Sequence, residues 1–164
     1  MMIRRLSVAA ALAVTAFAAG CASTVPTMDA SRPASKALQA SVLKGVAQPT
    51  VVANGHVIDS QVVQSLLSGF SEQASKAGVK VQPDGAPITI TVQEYSARPV
   101  AARWLAGALA GSDHIKAAVA LGETTFVIED TARSIATGIN GVAKNVGVQA
   151  ANGVAAVAGL AQPN

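Results

Sequence analysis

Two histidines, one cysteine and a few neighbouring carboxylates are the residues through which this chain could perform chemistry. His56 and His114 stand at the edges of segments, far from Cys21, and no set of Cys, His and carboxylate residues has metal-ligand spacing. Asp113-His114 is adjacent in sequence, and beside a serine it would form a hydrolytic set. No nucleophile-elbow motif accompanies it, and the serines fall in caps and linkers. Glu129-Asp130 offers two carboxylates for acid–base work, but charges ending a strand read more simply as solvated. "GSDHIK" holds one glycine, too few for a phosphate cradle, and Asp113 reads as a turn residue. The expectation is a non-catalytic protein with no metal and no cofactor.

Cys21 is the only cysteine in 164 residues, so it has no internal disulfide partner. Its setting supplies the explanation. Arg4 and Arg5 precede an uncharged, Ala-, Val- and Leu-rich stretch over 6–19, and small residues then lead into Cys21. That order is the order of a secretory signal. The apolar run is shorter than the roughly 20 residues a spanning helix needs. Ala18-Ala19-Gly20-Cys21 also resembles the lipobox of bacterial lipoproteins, with Ala18 where leucine is commoner. The resemblance implies cleavage before Cys21, a thioether-linked diacylglycerol on its sulfur and acylation of the new amino group. Ala22 after the cysteine, by the same likeness, implies sorting to the bacterial outer membrane, facing the periplasm. An ordinary secretory signal and a cytosolic chain with an apolar N-terminus are the alternatives. Several acyl chains make a firm anchor, whereas one holds only marginally, each buried CH₂ contributing about 0.8 kcal/mol.

The elements that must position these residues begin after a Ser/Thr/Pro/Ala-rich stretch, read as a flexible tether over 21–38. Without the first 20 residues, 144 remain, enough for one domain, and the formal charge of +3 falls to +1 once Arg4 and Arg5 are removed. No basic patch interleaved with aromatics is present, which argues against nucleic acid. Residues 37–49 are ambiguous between a short strand and a weak helix, and Thr50 to Ala53 fits a short strand. From Ser60 to Ala77, Val62, Val63, Leu66, Leu67, Phe70 and Ala74 form an apolar stripe at helical spacing, with Asp59 or Ser60 as cap. Ile88, Ile90 and Val92 alternate with Thr89, Thr91 and Gln93, as in a strand with one buried face. Two further alternating runs flank Gly122-Glu123 and predict a hairpin.

Past Arg133 the pattern becomes helical and rich in small residues. Gly147, Ala151, Ala155 and Gly159 recur at steps of four, a face that lets another backbone come close. A helix packed on the domain or on a partner, a frayed tail and a membrane segment all fit residues 134–164. The connection after Tyr95 is long for a link between strands, and Arg98 and Arg103 bracket an apolar set with Trp104 and Leu105. Arg98, Arg103, Trp104 and Leu105 are candidates for contact with lipid headgroups or a partner; the alternative is a lid folded back over a core poor in aromatics.

A strand ending near Tyr95, then Arg103-Trp104-Leu105-Ala106-Gly107 and Gly111-Ser112 before another strand, resembles a family of small bacterial lipoproteins whose shared domain has no assigned function. The likeness spans roughly residues 57–133 and implies an α+β body and an envelope location, with no catalytic residues. The expected organisation is therefore a signal peptide over 1–20, the tether over 21–38, an α+β domain over 39–133 and an Ala/Gly-rich helix or tail over 134–164. The expected fold is α+β, an antiparallel sheet of about four strands with one packed helix and a C-terminal helix. The expected role is envelope assembly, export or maintenance through contact with a protein partner. A ligand- or glycan-binding module would instead gather Arg98, Arg103 and Glu94 in one cleft, and a small hydrolase would bring Asp113 and His114 to a serine.

Overall fold

The computed structural model describes residues 27–28, 34–99, 101, 111–133 and 136–162, the first pair by backbone alone. The fold is α+β. In chain order the elements are β1 (Thr27–Met28), α1 (Lys36–Lys44), β2 (Thr50–Val52), α2 (Ser60–Lys76), β3 (Ile88–Ser96), β4 (Asp113–Leu121), β5 (Thr124–Ala132) and α3 (Gly138–Val157). The sheet runs β1-β5-β4-β3-β2. The long strands are antiparallel to one another, but β2 pairs parallel to β3, Thr50 opposite Thr89, so the sheet is mixed at that edge.

Alternation along β3, β4 and β5 decides which face is covered. Ile88, Ile90, Val92, Ile115, Ala117, Val119, Leu121, Phe126 and Ile128 are buried in one apolar cluster with the helices. The hairpin turns at Gly122, whose φ is +56° while Glu123 has no positive φ, the pattern of a II′ turn. In α2 the Asp59 carboxylate caps the Gln61 amide at 2.7 Å, and Val62, Leu66, Phe70 and Ala74 are the buried stripe. The ambiguous stretch before β2 is helical. Ser35 caps α1 by accepting from the Leu38 amide at 3.1 Å, and Leu38 and Val42 enter the core. The folded body therefore starts before residue 39. Thr27–Met28 and the first three residues of α1, 36–38, lie inside the stretch read as tether, because a strand edge and a core were there to receive them.

Helix α3 is buried on nearly all sides, since α2, α1, β4 and β5 all pack against it. No helix among the described residues is long and apolar enough to cross a membrane. Its glycines set the spacing. A Cβ at Gly147 would collide with the Leu66 carbonyl, and one at Gly69 of α2 with the Lys144 carbonyl, so the helices cross backbone to backbone. At the same crossing Gln73 donates to Asn152 at 2.8 Å in a buried side-chain hydrogen bond. Gln149 then protects the edge of β5. Its amide donates to the Glu129 carbonyl at 2.8 Å, and its oxygen accepts from the Glu129 amide at 3.2 Å, replacing a neighbouring strand.

Candidate functional site

The end of the sheet where β3 finishes and β4 begins carries Arg98, expected from sequence at a contact surface. It is instead 5% exposed. Its guanidinium meets Asp113 at 2.9 Å, donates to the carbonyls of Gly111, Ala132 and Arg133, and its backbone amide donates to the other Asp113 oxygen at 2.8 Å. Asp113 is fully buried because β4 alternation points it towards the helices. It is therefore half of a buried ion pair rather than a turn residue. A buried pair with such bonds resists the loss of either partner. Its place indicates a clamp that holds both ends of the β3–β4 connection against the end of β5. Arg103, Trp104 and Leu105 lie outside the described residues, as does Cys21.

The opposite face of the sheet carries no helix among the described residues. On it Glu94 of β3 meets Lys116 of β4 at 3.3 Å and His114 at 3.4 Å, while His114 Nδ1 lies 2.8 Å from the Thr131 hydroxyl of β5. The Lys116 hydrogen bond and charge, with a smaller part from His114, hold the Glu94 carboxyl below its ordinary value of 4.5. Sequence reading missed this cluster for a specific reason. Strict alternation would put Glu94 with the buried Ile88, Ile90 and Val92, but the register shifts between Val92 and Glu94. That bulge sends Glu94 to the open face and Tyr95 towards the core. Thr89, Thr91, Ala118, Ala120, Thr125 and Val127 complete a small-residue face around the cluster.

This geometry separates the residue sets that binding or hydrolysis required. Asp113 and His114 are successive on β4 and point to opposite faces, one to Arg98 and the other to Glu94 and Thr131. Arg98 and Glu94 are likewise divided by the sheet. Thr131, His114 and Glu94 do form a hydroxyl–imidazole–carboxylate chain, but Glu94 is 58% exposed and shared with Lys116. Glu129 is exposed as expected, whereas Asp130 is buried and accepts from Asn145 at 3.0 Å. No three His, Cys, Asp or Glu side chains gather among the described residues. An internal apolar void between Val62, Leu66, Val92 and Ile115 is about 10 Å³, too small for a ligand. The larger grooves are open and lined mostly by Ser, Gln and Lys, one along Gln61, Ser65, Ser68 and Lys144.

The small-residue face of the C-terminal helix is also used from within. Gly147, Ala151 and Ala155 are buried, and Gly147 is in contact with α2; Gly159 lies past the helix end with φ +73°. Of the three arrangements that fitted this segment, the one found is a helix packed on its own domain. No family model matches the chain, and no curated protein or solved structure matches it either.

Proposed function

We propose that the protein is a lipid-anchored lipoprotein of the bacterial envelope, held to the outer membrane through acyl chains on Cys21 and facing the periplasm. It acts by contact with a protein partner in envelope assembly, export or maintenance, without catalysing a reaction. The observation that carries this reading is Cys21 itself, set directly behind a charged, apolar and small-residue leader. The folded body gives it physical sense. The body starts six residues beyond Cys21 at β1, so it stands within about 20 Å of the anchor.

Contact is better sought on the open sheet face than on α3, whose small residues are buried. Thr125 and Ala120 are exposed there, next to the half-buried Val127 and Ala118. A photo-crosslinking residue at position 120 or 125 in intact cells is expected to capture one discrete protein, and the same probe at Gln64, exposed on α2 on the other side of the sheet, is not. Capture of lipid alone, or of nothing, from all three positions contradicts action by protein contact.

A further inference from the structure

We infer that the protein stands on its membrane by one end: the end of the sheet where β3 and β5 finish and where β4, α2 and α3 begin. The inference rests on Cys21 being the lipid anchor. The register of β1 carries it. Thr27 lies opposite Val127 and Met28 opposite Phe126, antiparallel. Traced back from Thr27 towards Cys21, the backbone therefore leaves β1 in the direction of Ile128 and Ala132.

Chain length then limits where the sulfur can be. Six residue steps separate Thr27 from Cys21, a reach of about 20 Å at full extension. The part of β5 from Val127 to Ala132 takes up about 17 Å. The anchor can thus come level with this end of the sheet or just beyond it. The other end, at Gly122, lies about 17 Å from Thr27 in the opposite direction. To reach it the chain would first have to reverse. A turn takes about four residues, and the remaining two span about 7 Å. While β1 stays paired, the far end is out of reach of the anchor.

The two ends differ in what they offer a bilayer. The near end holds His56 and Val57 just after the Asn54-Gly55 turn, with Val57 95% exposed, the buried Arg98–Asp113 clamp and the exposed Arg133. The far end holds Lys36, Lys44, Lys76 and Lys80 against Asp84 and Glu123. An anionic surface would therefore pull the far end down, whereas the short link from Cys21 brings the near end down. In a zwitterionic membrane the link decides.

The test uses the full chain, processed in cells and reconstituted into phosphatidylcholine vesicles doped with a headgroup-attached fluorescence quencher. Single variants Ala97→Cys and Arg133→Cys report the near end, Gln48→Cys and Asp84→Cys the far end; all four positions are exposed. A thioether at Cys21 leaves the added thiol as the one that takes the fluorophore. Circular dichroism checks that each variant is folded. Flotation with the vesicles is measured first, and failure to float removes the anchor, and with it both the proposed function and this orientation. For chains that float, quenching is expected to be several-fold stronger at positions 97 and 133 than at 48 and 84. Equal quenching, or the reverse order, overturns the orientation and leaves the anchor standing.

Discussion

At the crossing of α2 and α3 the chain gains contact by omitting side chains, whereas at the end of β3 it gains contact by burying two charges. Sequence made both regions look like surfaces for a partner, one through its small residues and the other through Arg98. Both are occupied from within. The means differ in how they fail. The crossing depends on shape, so it suffers when volume is added. The clamp depends on charge and hydrogen bonding, so it suffers when one partner is removed and the other stays buried.

The largest effect is expected at the clamp. Asp113→Ala strands a buried guanidinium that cannot shed its charge, at a cost of about 3–5 kcal/mol. Arg98→Ala leaves a carboxylate that can take up a proton and still accept from the backbone amide of residue 98. It should therefore cost less, and urea denaturation of the two variants gives the order directly. Equal costs near zero would mean that the pair is solvated rather than buried.

Next comes the crossing. Gly147→Ala adds one methyl against the Leu66 carbonyl. The overpacking penalty is typically 1–3 kcal/mol, set against a gain of about 1 kcal/mol in helix propensity. Net destabilisation is expected, while Gly141→Ala, whose nearest neighbour is the tip of the Thr137 side chain, should be milder. Stabilisation by Gly147→Ala would contradict backbone-to-backbone packing.

The smallest effect belongs to the surface carboxylates. Glu94 is held below its ordinary value by Lys116, Glu72 by Lys144, and Glu123 by its hydrogen bond from Ser35. A lowered carboxyl contributes stability above its unfolded value, and that contribution is lost as pH falls through the folded one. All three are solvent-exposed, so the loss below about pH 4.5 should be slight and weaker still in high salt. Thermal melts between pH 3 and pH 6 at two salt concentrations measure it. A steep loss at higher pH would point to a different titrating group.

Where a residue pattern is decided locally, the fold was legible. The stripe of α2, the alternation of β3 and the glycine of the hairpin each followed from period or from a required φ. What escaped depended on partners distant in sequence. The bulge that turns Glu94 outward is a property of pairing with β4. Thr27–Met28 becomes a strand only because β5 has a free edge. Arg98 carries a charge that sequence assigns to water, and nothing in its neighbourhood announces Asp113 on the next strand. On the α3 face only Gly147 is seen against α2, while Gly159 lies exposed past the helix end, and the pattern did not name the occupant.

Anchor and orientation both depend on the chemistry of one sulfur atom. Intact-mass and peptide mass spectrometry of the protein isolated from native membranes tests it most directly. The expected species begins at Cys21, lacks the first 20 residues, and carries diacylglycerol on the sulfur and an acyl chain on the amino group. A chain that retains Met1 or begins at another residue, with Cys21 as an unmodified thiol, would contradict the anchor and the orientation built on it.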